Sequence, residues 1–580
     1  MDVKEQRRLS TFVAPSTLQT DSRLRELTRT LPNLLVPAAA TTLLFLVAFA
    51  LAADNQHPVL RVRTSPAAAD IRAVVPLLAA VASVLAVYRP WPALVAILAL
   101  TPVWNSANVS FDVGPIQIIL QTLFAAVLIG GCALDAVTKR RLAGRPLAYP
   151  NRPTDADAAL PEMPARSAVQ RRRLSGIESV RLLELAVVAF VALAVGSTVA
   201  SLNPGNSANG LLHGIVEPVL FGLVLVWLRP SPRGLLTIAG ALAVSIGLAS
   251  LIDILQNYWA YGTNITQIVN HRLDFTQATY NNVGLFGVII ATVLPMLAAG
   301  LLLRRELSLP RWGLVVLLVA APLSMAGLFF TVSKSAWLAS AAALVLLLLL
   351  LMHTWWKRLS MSIAVIALSA IFIPWPALVL QSIPSMDTAY RKVIVAMVGQ
   401  QRFDSWNPTT LSGHGSMAER YYAVQGGVDM AIDHPILGVG LNEFHTYYMT
   451  LGYRSDQAKD DLDHAHSVFP EVAAELGFPA LAMLLTVFGA ALWAMWKVYR
   501  AAHDNISRTM AAMLIASVTA WIVAGTAYGA DIYRAFRDQS SDIVALAVVI
   551  GMVVALARWA RDTRGITGMQ GFVRRGVARP

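Results

Sequence analysis

Charge is what this sequence has least of. Only 14% of its 580 residues are charged, while 56% are hydrophobic. A soluble chain of this length carries roughly 25% charged residues, so the shortage excludes an ordinary soluble protein. Cysteine is almost missing as well. Cys132 stands alone, which excludes an intramolecular disulfide and leaves the redox compartment unspecified. Alternating strands of barrel type are lacking, which leaves helices as the spanning elements. No small-residue cleavage site follows the first apolar run, so that run is expected to be a retained span and not a signal peptide.

What the sequence has in quantity is apolar runs of about 18–24 residues, each long enough to span a bilayer. We expect a polytopic, all-α helical membrane protein of about 14 (12–14) transmembrane helices. The runs lie near 34–53, 74–88, 91–104, 116–137, 182–201, 211–228, 234–255, 281–303, 312–330, 335–353, 360–381, 467–496, 509–527 and 541–557. Placing the N-terminus inside puts most Lys and Arg on the cytoplasmic segments, as expected for such proteins. The net charge of +12 is therefore topological, and nucleic acid is not an expected partner.

The expected organisation follows. Residues 1–33 are a basic cytoplasmic N-terminus, and 34–137 hold four N-terminal transmembrane helices. Residues 138–178, rich in Arg, Pro and Ala, read as a disordered cytoplasmic linker. Residues 179–381 carry the core transmembrane helices, 382–466 a large outer loop, 467–560 the last three spans, and 561–580 a basic cytoplasmic tail. The loop or its end holds His414, His434, His445, His464 and His466, half of the ten histidines. A long ordered loop in a compact protein is usually functional.

Part of this loop is expected to be helical. In "SMAERYYAVQGGVDMAIDHP", Ser416 and Glu419 form a capping box. Val424, Val428 and Ala431 give an apolar face, and Pro435 stops the helix near Asp433. Gly438 and Gly440 in "ILGVGLNEF" suit a turn or a close backbone approach.

"HPILGVGLNEF", followed by His466, Ser467, nine residues and Gly477, resembles the signature of the O-antigen ligase and polymerase superfamily. Ala480 departs from a glycine common there. On a continuous helix, positions 466, 477 and 480 would share one face within about 40°, leaving a groove below the histidine. Lys334 and Leu338 in "TVSKSAWL" match a basic residue and leucine of the family, with lysine where arginine is usual. Arg420 matches an arginine of the outer-loop helix. Arg272, in "NHRLDF" ahead of "YNNVGLFG", is a weaker match.

The resemblance implies a GT-C-like enzyme without cofactor or metal. Its partners would be an undecaprenyl-diphosphate-linked glycan donor, a glycan, lipid or protein acceptor, and the bilayer. The site would face outward from the bacterial cytoplasmic membrane. His466 would be the catalytic base, since a hydroxyl nucleophile must lose a proton and histidine titrates near neutrality. Lys334, Arg420 and Arg272 would bind the donor diphosphate, as cations stabilise a departing phosphate without a metal. Gly477, Glu475, Glu217 and His464 would support the site. His464 is expected to be a solvated neighbour pointing away from His466. Glu475, about 180° from His466 on a helix, is expected to bond neighbouring spans.

Alternatives stay open. Asp461 and Asp463 beside the histidines permit a divalent-ion reading. Ligase and polymerase are not separated. A polytopic solute transporter with a midplane site around Glu217, aided by Asp253, is the competing class, because a carboxylate at membrane depth is functional by default.

Overall fold

A computed structural model describes residues 60–63, 85–86, 89–102, 110–113, 116–143, 167–261, 283–331, 333–352, 354–372, 416–455, 464–526 and 541–576. The described part is helical apart from one small sheet. Strand β1 (Leu60–Arg63) precedes α1 (Pro90–Ala99), which opens on a proline whose missing N–H costs nothing at a first helical position. Strands β2 (Ser110–Val113) and β3 (Ile116–Ile119) follow. The antiparallel order is β1-β2-β3, with Leu60 opposite Val113 and Ser110 opposite Ile119. This small sheet leaves the helical class standing, but residues 116–119 do not begin the fourth span as a helix. The reason is local: "SFDV" and "IQII" are rich in β-branched and aromatic residues, and Gly114-Pro115 punctuates them.

Helices α2 (Leu120–Ala143) and α3 (Ser167–Ala200) come next. They occupy both ends of the expected 138–178 linker, whose remainder lies outside the described residues. α4 (Pro204–Leu211) continues through a π-turn at Leu212–Val216 into α5 (Glu217–Leu228). Then follow α6 (Pro232–Tyr261), α7 (Val283–Leu302), α8 (Arg311–Thr331), α9 (Lys334–Leu351) and α10 (Trp355–Phe372). The loop contributes α11 (Ser416–Asp433) and α12 (Phe444–Thr450), and the chain ends with α13 (Val468–Ala501), α14 (Asn505–Thr526) and α15 (Ser541–Gly576).

Among the described residues, eight helices are long and apolar enough to cross a membrane, and Pro90–Ala99, Thr122–Val137 and Ser335–Leu351 are shorter apolar helices. This is a multi-pass helical membrane protein. The two runs expected near 34–53 and 74–88 lie almost wholly outside the described residues.

The centre of the bundle is α7, packed against α8, α9 and α14. With no hydrophobic drive between helices in lipid, contact rests on shape and small residues. On the paired helices α5 and α15, a Cβ on Gly222 would stand 2.9 Å from the Ala547 carbonyl oxygen, and one on Gly551 2.9 Å from that of Gly222. Two contacts mark one end of the bundle. Tyr499 donates to the Leu350 carbonyl at 2.6 Å, and Arg558 meets Glu184 at 2.6 Å. The loop helices stand at the other end, called the loop end below.

α11 stops at Asp433, as Pro435 requires. Its buried stripe includes Ala431, as expected, but otherwise differs from expectation. Val428 is 42% exposed, whereas Ala423 and Met430 are fully buried. Small residues win this face because the helix lies against other chain segments: a Cβ on Gly426 would sit 2.9 Å from the Tyr448 ring, and one on Gly427 3.2 Å from Ala465. The Ser416 and Glu419 side chains lie outside the described part.

Candidate active site

The site is built on the start of α13. Ser467 is extended (φ −152°) and precedes the first helical residue. Its hydroxyl donates to the Gly525 carbonyl at 3.1 Å, fastening the start of α13 to the end of α14. His466 has φ +54°. This left-handed conformation is uncommon for a non-glycine residue, and it turns the chain back on itself. The His464 and His466 rings consequently lie 4.1 Å apart, and the two residues are only 5% and 8% exposed. The expectation of a solvated His464 pointing away is overturned, because it assumed a regular backbone. The Glu471 carboxylate, fully buried, accepts from the Ala465 N–H between the two histidines.

One and a half turns further along, α13 breaks. Gly477 has φ +83° and ψ +167°, which no helix contains. His466, Gly477 and Ala480 therefore share no helical face, since the helix begins after the first and breaks at the second. The break frees backbone groups that a continuous helix would use. The "HPILGVGLNEF" segment takes them up. Val439 N–H donates to Ala474 O at 2.9 Å, Gly440 N–H to Glu475 O at 3.1 Å, and Phe478 N–H to Pro435 O at 2.9 Å. Ser197 of α3 adds its hydroxyl to Glu475 O at 2.6 Å.

Close approach is why glycines stand here. A Cβ on Gly438 (φ +66°) would overlap the Glu475 carbonyl, and a Cβ on Gly477 would overlap the Ile436 carbonyl oxygen. The reading of Gly438 and Gly440 as close-approach residues agrees with this geometry.

The Glu475 side chain completes the dock. It is fully buried and accepts from the N–H groups of Asn442 at 2.6 Å and Phe444 at 2.9 Å. Glu475 thus holds the loop, not another span as expected. Asn206 on α4 holds the same turn from the other side. Its amide donates to Asn442 O and to the Glu443 carboxylate, each at 2.9 Å, and accepts from the Asn442 amide at 2.7 Å. Met430, Val439, Phe444, Tyr448, Ala465 and Ala474 form a separate apolar core beneath these bonds. Tyr453 donates to Asp433 at 2.9 Å, and burial first, then this bond, pushes its phenol up to about 12.

Other expected residues fall as follows. Lys334 is the first residue of α9, behind the cap Ser333, whose hydroxyl accepts from Ala336 N–H at 3.4 Å. Arg420 lies on α11, two turns before Gly427. The side chains of both lie outside the described part. Arg272, Asp461 and Asp463 lie wholly outside the described residues, as does His414. His434 follows α11 directly and meets the Tyr447 ring edge-on at 5.6 Å, a turn role. Glu217 is fully buried, accepts from Thr122 at 2.9 Å and lies 3.3 Å from His213 Nδ1 across the π-turn. Asp253 is buried on α6. Glu471, Glu443, Ser197 and Asn206 had been given no role. Only Glu471 carried a signal, an acid one turn into an apolar run.

An apolar cleft of about 490 Å³ opens beside the site. Val468 lines it at the loop end, and Glu184 and Arg558 line its far end. Between them its wall is made by α3, α5, α13 and α15, with Val191, Pro218, Val487 and Ile550 among the lining side chains.

No curated protein matches the chain significantly. The model of the O-antigen ligase family matches residues 314–485. That stretch contains Lys334, Arg420, His464, His466, Gly477 and the docked loop, while Glu217 and Arg272 precede it. This match suggests glycan transfer of the lipopolysaccharide-building kind and a glycosyltransferase-type enzyme. The match over this segment supports membership of the O-antigen ligase superfamily.

Proposed function

We propose that the protein transfers a glycan from an undecaprenyl-diphosphate carrier to an acceptor hydroxyl, with inversion and without a metal. The reaction would occur at the outer face of the bacterial cytoplasmic membrane, with both termini cytoplasmic, about fourteen spans and a GT-C-like arrangement. The acceptor is a lipid core, a protein or a growing polysaccharide.

The observation that carries this reading is His466, a nearly buried imidazole held in an unusual backbone conformation where the loop meets the spans. In the proposed reaction His466 takes the acceptor proton. The acceptor oxygen then attacks the anomeric carbon from the side opposite the phosphate, and undecaprenyl diphosphate leaves. Lys334, Arg420 and Arg272 meet the growing negative charge. The apolar cleft from Val468 suits the hydrocarbon chain of such a carrier.

The transport alternative needs Glu217 as an open midplane site. Its carboxylate is instead fully buried and bonded to Thr122, so transfer is the reading proposed.

The test is glycan transfer by purified protein in nanodiscs with a lipid-linked oligosaccharide donor. His466→Ala should lose about 100-fold or more while folding normally. Near-normal transfer by that variant would remove the proposal.

A further inference from the structure

We propose that Glu471 is the positioning residue for His466. This rests on His466 being the base, as proposed above. The left-handed turn at His466 has an anchor on each side. After it, the Ser467 hydroxyl holds the Gly525 carbonyl at 3.1 Å. Before it, the Ala465 N–H donates to the Glu471 carboxylate. The Ala465 methyl is itself buried in the loop-end core, against the backbone of Gly427. Both residues that flank His466 are therefore anchored, and of these two anchors only the Glu471 bond is made by an ionisable side chain.

A carboxylate is a costly way to satisfy one N–H. Glu471 is fully buried, and its second oxygen, Oε1, has no hydrogen-bond partner among the described residues. Burying such a group is unfavourable unless its interactions compensate. Its place in the first turn of α13 offsets part of the cost, because the helix N-terminus favours negative charge. A buried acid at this depth that meets no described cation fits a positioning task better than a stabilising one. Without it, the Ala465 peptide can rotate, and the His464–Ala465–His466 turn loses its shape while the spans stay packed.

A positioning role and a merely structural one give different kinetics. A displaced base lowers kcat and leaves donor KM unchanged, because the donor site is not touched. A structural role lowers the amount or melting temperature of folded protein and leaves kcat per folded molecule alone.

The experiment uses the full chain in nanodiscs with a lipid-linked oligosaccharide donor, comparing Glu471→Gln and Glu471→Leu. Glutamine keeps an acceptor oxygen for Ala465, and leucine does not. We expect Glu471→Leu to lose about 100-fold in kcat, the scale of a misplacement of about 1 Å, with donor KM within about twofold. Glu471→Gln should recover to within about threefold of the parent, since a neutral acceptor still closes the turn. Wild-type kcat for Glu471→Leu would overturn the inference, as would equal loss in both variants. The rate of His466 modification by diethyl pyrocarbonate, measured in a His464→Gln background, gives a second readout: it should rise in the leucine variant alone, and an unchanged rate counts against the inference. If His466→Ala remains active, the functional reading fails. If only the Glu471 variants remain active, this inference alone fails.

Discussion

Replacing Gly477 with alanine should undock the loop without unfolding the protein. The backbone at this residue, φ +83° and ψ +167°, belongs to a region that costs an L-residue about 1–3 kcal/mol. The added Cβ would also overlap the Ile436 carbonyl, so the two segments must separate. Separation sacrifices the three backbone bonds from Val439, Gly440 and Phe478, worth about 1 kcal/mol each. Together these reach about 4–6 kcal/mol of local destabilisation. That exceeds what a locally docked segment withstands, whereas the bundle around α7 is untouched. The assay is amide hydrogen exchange by mass spectrometry, alongside glycan transfer. Protection over 436–444 should fall, protection in α7 and α14 should persist, and transfer should collapse. Wild-type protection and activity in Gly477→Ala would refute the reasoning. Ala480→Gly, which restores the family's common residue, should be mild.

Lys334→Gln should slow transfer by about 2–4 kcal/mol in barrier if the lysine meets the diphosphate in a dry site, and Lys334→Arg should be tolerated; steady-state kinetics on both checks this, and unchanged kinetics for Lys334→Gln would remove the role. Activity should survive a strong chelator and the double change Asp461→Asn with Asp463→Asn; loss restored by magnesium or manganese would return the aspartates to the site. Tyr453, with a folded-state value near 12 against an ordinary 10.0, should contribute stability that is fully present below pH 10 and fades between 10 and 12, because the unfolded chain ionises first. Thermal melts of Tyr453→Phe should lack that alkaline decline, and an identical decline in both proteins would discard the link.

The helical membrane class and the eight helices long and apolar enough to cross a membrane were readable because hydrocarbon leaves the backbone few options. His466 was readable because a titratable group at the mouth of an apolar run is unusual. Errors came wherever a regular backbone was assumed. His464 and His466 were treated as if residues two apart point apart, and a single left-handed residue brings their rings to 4.1 Å. The shared face of His466, Gly477 and Ala480 required an unbroken helix, although "GFP" at 477–479 carries two breakers in sequence. Glu475 was expected to bond something, but its partners on Asn442 and Phe444 stand more than thirty residues away. Ser197 and Asn206 had no local pattern at all, since their importance exists only after the loop docks.

The break in α13 also bears on how such proteins can be recombined. The bonds that seat residues 435–444 come from α4 and α13, and α3 braces the receiving Glu475 carbonyl, so the loop is not an interchangeable cassette carried on a neutral frame. A chimera with its junction between Asp433 and Phe478 would pair one parent's loop with another parent's receiving carbonyls. Grafts that move residues 197–206, 434–444 and 464–478 together should keep the histidine turn intact.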